Sequence, residues 1–246
     1  GFAACRWNGV SIDAPYLERL APHVDFRPVC PEVEIGLGVP RKPIRVVEVK
    51  GRRRLVQPET GRDVTDLMTG FAAKHLAGLG GIHGALLKSR SPSCGIKDVK
   101  VYPKPDATTP IGKDFGFFGA AVLERYPDLP VEDEGRLLNW RIREQFLTRL
   151  FAIASFEKIA RKPAMASLVD FHARNKLLIR AYSQKEMRIL GRLVANPGHR
   201  PAGEIFGEYR THFRAAFVRP ARDGAITDVL LHALGYFSNG LASREK

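Results

Sequence analysis

Apolar residues follow two different rhythms along this chain. Through residue 126 they come in short runs broken by turn formers, and from Leu137 onward they recur at helical spacing. The apolar run over 82–87 leads into Lys88-Ser89-Arg90-Ser91-Pro92-Ser93-Cys94-Gly95, which predicts a buried strand and then a turn around one cysteine. Phe2-Ala3-Ala4-Cys5 is a second short run ending in cysteine, with Asn8-Gly9 just after it. The alternating stretch over 24–30 predicts a further strand, ending in Cys30-Pro31-Glu32. A short helix is expected over 14–20, and a hairpin is expected around Lys50-Gly51, with arms over 45–49 and 54–57. An amphipathic helix follows over 64–79, with Asp63 as its N-cap. Residues 100–112 predict a loop or edge hairpin, and 115–126 a helix.

Two prolines and an acidic cluster mark 126–134 as a linker. Helical periodicity then fills 137–159, 164–182, 185–194, 202–217 and 225–237. Ser183-Gln184-Lys185-Glu186 reads as a capping box, and Asn196-Pro197-Gly198 as a stop. The expected architecture is an α/β N-terminal domain with a small, mostly parallel sheet over 1–127, followed by an all-α helical C-terminal domain over 132–246.

Charge changes this picture more than composition does. The 246 residues are 44% apolar and 26% charged, ordinary values for a globular protein, with no apolar run long enough for a membrane span. A net charge of +13 points to a polyanionic partner, most often nucleic acid. From Glu132 onward there are 20 Lys and Arg against 12 Asp and Glu, while residues 1–131 hold 19 against 14. The helical half therefore carries the larger surplus. Within it, His172, Lys176 and Arg180 share one helix face, either a phosphate-contacting surface or a solvated stripe with one satisfied histidine. Arg52-Arg53-Arg54 is a basic run of the kind that is usually a solvated face.

Three cysteines cannot all pair within one chain. No signal-peptide pattern is present, so a cytoplasmic location with reduced thiols is expected. No Cys-x-x-Cys supports a zinc ribbon or a thioredoxin motif. Ligands of open α/β sheets collect at the carboxyl ends of strands, so cysteines at three strand ends can converge on one point. The plainer alternative is three buried packing thiols.

Cys30-Pro31-Glu32, Pro40-Arg41, Gly61-Arg62-Asp63-Val64-Thr65 and Lys88-Ser89-Arg90-Ser91-Pro92-Ser93-Cys94-Gly95 together resemble the thiouracil desulfidase family. The second half resembles a helical domain often fused to it. The residues carrying that match are Glu134-Gly135-Arg136-Leu137, Phe171 to Lys176, Leu190-Gly191-Arg192-Leu193 and His232-Ala233-Leu234-Gly235-Tyr236-Phe237. The arrangement looks like that of the bacterial desulfidases that remove sulfur from 4-thiouridine in tRNA. Two departures stand out: Cys5 abuts Arg6-Trp7-Asn8-Gly9, where family members carry several intervening residues, and the helical part reaches Lys246, where theirs continues.

The resemblance implies a 4Fe-4S cluster held by Cys5, Cys30 and Cys94, with one iron open to the substrate's sulfur. It implies a non-redox hydrolysis giving uridine and hydrogen sulfide. Glu32 is the expected proton-transferring group, or else a salt-bridge partner of Arg41. Ser91 is expected to orient substrate or relay a proton, with Ser93 the weaker candidate, and either could simply cap the turn. Arg41, Lys88 and Arg90 are expected to bind substrate, with Lys88 and Arg90 meeting its phosphate. The expected partner is tRNA containing 4-thiouridine, with local unstacking of the modified base. One rival keeps the cluster and takes free thiouracil or thionucleotides. Another is a non-catalytic RNA-binding protein with a structural zinc, for which His23 and His83 stand outside motif spacing.

Overall fold

A computed structural model of the protein describes residues 7–9 and 15–235. Cys5, the run predicted over 2–5 and the end of the last predicted helix lie outside the described residues. The chain divides into two compact units, Gly1–Pro127 with Val131–Arg143, and Asp128–Pro130 with Glu144–Lys246.

The first unit is α/β, as its short apolar runs predict. Its elements are α1 (Pro15–Leu20), α2 (Pro31–Glu34), β1 (Arg45–Val49), β2 (Arg52–Gln57), β3 (Arg62–Asp63), α3 (Thr65–Gly78), β4 (Ala85–Leu87), β5 (Val99–Tyr102), β6 (Gly112–Asp114), α4 (Phe117–Arg125) and β7 (Val131–Asp133). The larger sheet runs β3-β2-β1-β5-β6. Its central pair, β1 and β5, is parallel, while the β1–β2, β2–β3 and β5–β6 pairs are antiparallel. Among the described residues a second sheet consists of β4 and β7, parallel, with Leu86 opposite Glu132 and Leu87 opposite Asp133. That pairing draws 131–133 out of the expected linker and ties it to the strand that precedes Ser91.

Local chemistry accounts for most of these elements. Lys50 and Gly51 both take positive φ, 50° and 72°, the geometry of a tight hairpin turn. Asp63 Oδ1 accepts the Thr65 N–H at 2.9 Å, doing the capping work expected of it from one position further out than the N-cap, Val64. Thr65, Met68, Ala72 and Leu76 are the buried face of α3 and pack with Val46, Leu55, Val99, Val101, Phe118 and Val122. The strand expected over 24–30 does not form: this stretch is irregular and leads straight into α2. Pro28 offers no ladder donor, and Pro31 opens α2 at its first position, where its fixed φ suits a helix and not a strand.

Among the described residues the second unit is all helical: most of α5 (Trp140–Ala160), then α6 (Met165–Tyr182), α7 (Gln184–Ala195), α8 (Ala202–Ala216) and α9 (Ala225–Gly235). Its core is aromatic, with Phe156, Phe171, Tyr209 and Phe213 in mutual ring contact. Ser183 caps α7 by accepting the Glu186 N–H at 3.2 Å. The return half of the expected capping box is missing, because the Glu186 carboxylate takes His212 Nδ1 at 2.7 Å instead.

On α6, His172 is half-buried, with Nδ1 3.1 Å from the Tyr209 hydroxyl. Burial lowers its pKa, and Lys176 acts in the same direction. A folded value below the unfolded one, about 6.5, makes protonation favour the unfolded chain. The His172 contribution to stability is therefore complete above about pH 6.5 and lost as pH falls through the folded value. Thermal unfolding between pH 7.5 and 5 should show the wild type losing more Tm on acidification than His172→Asn, and parallel curves would refute this.

Candidate active site

Glu32 is the centre of a polar cluster drawn from three separate stretches of the first unit. It sits at the second position of α2, and only 9% of its surface is exposed. Its Oε2 accepts Nε of Arg41 at 2.7 Å and Nη2 of the same guanidinium at 2.6 Å. Nη1 of Arg41 goes to the Gly38 carbonyl at 2.9 Å, and the Arg41 side chain is almost wholly buried. The salt bridge anticipated as the alternative role of Glu32 is thus present, and the Arg41 guanidinium, expected to bind substrate, is engaged by Glu32 and Gly38.

The other carboxylate oxygen faces the cysteine turn. Glu32 Oε1 lies 2.5 Å from Ser93 Oγ and 3.3 Å from Ser91 Oγ, and the two hydroxyls are 2.9 Å apart. Ser91 Oγ also accepts the Ser93 N–H at 3.3 Å and the Cys94 N–H at 3.1 Å, which closes the turn. Ser93, wholly buried, lies 3.8 Å from Cys94 Sγ as well. A serine has one hydrogen to give, so that of Ser93 serves one of the carboxylate, the sulfur and the Ser91 hydroxyl.

The turn is held from behind by the start of α4. The N–H groups of Gly116, Phe117 and Gly119 donate to the carbonyls of Gly95, Pro92 and Ser93 at 2.7, 3.2 and 2.9 Å. Helix N-termini leave such donors unpaired within the helix, and here the cysteine turn uses them. The approach is close enough that only glycine fits at two positions. A Cβ on Gly116 would stand 2.6 Å from the Ser93 carbonyl oxygen, and one on Gly119 would stand 2.5 Å from that of Gly95.

Cys94 lies in a setting that resists a bare thiolate. Burial pushes its pKa up to about 12, against a hydrogen bond from Ser93, and nearby Glu32 and Cys30 add to the rise. Cys30 stands at the N-cap of α2, two residues before Glu32, whose Oε1 reaches Ser93 next to Cys94. Among the described residues no set of three metal-ligating side chains is complete, the third cysteine lying outside them.

Lys88 and Arg90 have different surroundings. Lys88 pairs with Glu134, and the same carboxylate accepts the Ser89 N–H and the Ser89 hydroxyl, each at 2.7 Å. Burial pushes the Glu134 carboxyl up, but the bonds from Lys88 and Ser89 outweigh this and hold it below its usual range. Arg90 is exposed, has no ion pair among the described residues, and takes a left-handed backbone with φ 57°. Sequence reasoning gave Glu134 no role at the site. It lies 46 residues from Lys88, and only the β4–β7 pairing brings it there. His172, Lys176 and Arg180 belong to α6 of the second unit.

A buried carboxylate and two serine hydroxyls thus stand beside the Cys94 thiol, with Cys30 two residues before that carboxylate in the chain. The chain belongs to the 2-thiouracil desulfurase family, whose model matches residues 1–134, more than half its length. Residues 176–246 match a second model, described as a protein of unknown function, DUF1722. The uncharacterized protein YbgA of Escherichia coli (strain K12) is 31% identical over 108 residues, which make up 43% of this chain and 64% of YbgA. The chain thus spans just under two thirds of that relative. The uncharacterized protein YbbK of Bacillus subtilis (strain 168) is 32% identical over 102 residues, 39% of this chain and 68% of YbbK. A solved structure, the 4Fe-4S-dependent thiouracil desulfidase TudS, aligns with a TM-score of 0.41 and 32% identity over 55% of this chain and 89% of that one. No helix among the described residues is long and apolar enough to cross a membrane.

Proposed function

We propose that the protein is a desulfidase that hydrolyses the thiocarbonyl of a thiolated uracil ring, with 4-thiouridine in tRNA as its substrate. Cys5, Cys30 and Cys94 would hold a 4Fe-4S cluster with one iron left open. The donor set fits such a group: a half-buried thiol whose pKa its surroundings have raised becomes a thiolate readily only beside a compensating cation. When bound, the cluster supplies a Lewis-acidic centre with affinity for soft sulfur.

The observation that carries the reading is the Glu32–Ser93–Ser91 network set against Cys94. Replacing C4 sulfur by water oxygen consumes one water and releases hydrogen sulfide, so two protons pass from water to sulfur with no net electron transfer. Glu32 takes a proton from the attacking water. Ser93, bonded to Glu32 Oε1 and 2.9 Å from Ser91 Oγ, passes that proton through the pair of hydroxyls towards the substrate's departing sulfur. Ser91, the less buried serine, orients the ring. Arg41 holds the carboxylate in place from its other oxygen.

Charge in the second unit supports a polynucleotide substrate. Glu157 is used by Arg210 and Arg214, Asp170 by Arg174, and Glu204 and Glu208 by Arg200. On α7, Lys185, Arg188 and Arg192 lie at i, i+3 and i+7, exposed and without ion pairs among the described residues. Such a row suits a phosphate backbone, and Lys176 and Arg180 on α6 would add to it, whereas His172 is turned to Tyr209.

The test is anaerobic reconstitution with iron and sulfide, then incubation with tRNA containing 4-thiouridine, free 4-thiouridine monophosphate and 4-thiouracil. The thiocarbonyl absorbance should fall and sulfide appear with the tRNA, with affinity that weakens steeply as salt rises, and neither change should occur with Cys94→Ala. Conversion of the nucleotide but not the tRNA would move the assignment to small thionucleotides. Failure to assemble any cluster would remove the enzyme reading altogether.

A further inference from the structure

The segment from Lys88 to Ser91 is anchored at both ends by carboxylates from different parts of the chain. At one end Glu134 accepts both the N–H and the hydroxyl of Ser89 at 2.7 Å and pairs with Lys88. Gly135 leaves room for this, since a Cβ there would stand 3.3 Å from Ser89 Oγ. At the other end Ser91 Oγ lies 3.3 Å from Glu32 and accepts two backbone N–H groups of its own turn. Between the anchors, Arg90 carries φ 57°, a backbone that non-glycine residues other than Asn, Asp and His seldom adopt unless their flanks are fixed.

We propose that Glu134 is a positioning residue for the reaction: its clamp on Lys88 and Ser89 holds Arg90 out for a substrate phosphate and keeps Ser91 seated against Glu32. This rests on the desulfidase reading above and divides the work of two neighbouring cations. Lys88 neutralises Glu134 and braces the loop. Arg90, exposed and without an ion pair among the described residues, is the one left for an anion. The ligand chemistry is the phosphate attached to the thiolated nucleoside, whether within a polynucleotide or on a free nucleotide.

The test uses the reconstituted full chain. Glu134→Ala should lower kcat by about 10- to 100-fold, the scale of a small misplacement of a reacting group. Combined with Ser91→Ala, it should lower kcat no further than Ser91→Ala alone, because the two act through one element. Glu134→Gln, which can still accept from Ser89, should recover part of the loss. Arg90→Ala should instead raise KM by about 10-fold for phosphate-bearing substrates at unchanged kcat, and leave 4-thiouracil unaffected. Independently of activity, hydrogen exchange in the 88–95 peptide should quicken in Glu134→Ala while the rest of the first unit is unchanged.

Multiplicative losses with Ser91→Ala, together with a general fall in Tm, would show Glu134 to be merely structural and overturn the inference. So would an active wild type indifferent to Glu134→Ala. A wild type inactive on every thiolated base would overturn the desulfidase reading, and with it any catalytic use of the clamp, even if exchange responds.

Discussion

Glu32→Gln should reduce turnover by about 10³-fold, within the range expected when a positioned proton-transfer group is removed. Isosteric though it is, the amide cannot satisfy both of its neighbours. With the NH2 towards Arg41, two donors face each other where Oε2 now accepts at 2.6 and 2.7 Å. With the NH2 towards Ser93, the serine must turn its hydroxyl round to accept, and it loses the 2.5 Å bond through which it hands on a proton. Either way the guanidinium of Arg41, whose side chain is 4% exposed, keeps its charge and loses its counter-charge. Breaking a buried pair from one side costs about 3 to 5 kcal/mol, so Tm should fall along with activity. Single-turnover measurements on protein of matched iron content separate the two effects. A variant that turns over at the wild-type rate while losing Tm would leave Glu32 a structural residue only.

Gly119→Ala is expected to destabilise the first unit by about 3 kcal/mol and to cut the iron retained on reconstitution. The added methyl would meet the carbonyl oxygens of Gly95 and Cys94 at 2.5 and 2.7 Å. Both are backbone atoms of the turn that α4 holds through the Gly119 N–H, so neither can swing aside as a side chain would. Relief requires moving the turn, and Cys94 moves with it. Gly70, inside α3 with nothing within 4 Å of its Cβ position, is the matched control. There the same substitution should stabilise by about 0.5 to 1 kcal/mol through helix propensity. Urea unfolding of both variants gives the comparison, and equal effects would show that the close approach of α4 does not matter.

Much of this was legible in the sequence wherever a signal was local. The hairpin around Lys50-Gly51, the helix after Asp63 and the helices of the second half follow from turn chemistry and 3.6-residue periodicity, and the structure has them. Cys30, Glu32 and Arg41 lie within a dozen residues, and Ser91, Ser93 and Cys94 within four, so the two halves of the cluster were each visible. What was hidden is non-local. A three-residue strand such as β7 has no periodicity to read, so 131–133 looks like the end of a linker, and Glu134 has no visible tie to Lys88. The alternation over 24–30 misled because it counts apolar side chains, whereas a strand also needs N–H donors and a neighbour. The basic stripe of α7 was passed over for that of α6, whose His172 proves to be paired with Tyr209 at the edge of the core.

The β4–β7 pair also governs the order in which the molecule can be made. β7 is the last strand of the first unit to leave the ribosome, and Glu134 follows it directly. Until both have emerged, β4 lacks its β7 pairing and Ser89 lacks the Glu134 carboxylate, so the turn bearing Cys94 has its contacts with α4 and Glu32 but not this third anchor. Insertion of the proposed cluster into a finished site must therefore follow synthesis of this segment. For the same reason a recombinant fragment stopped at Pro127 would be an unfinished product, and one carried through Arg143 would hold every strand of the unit.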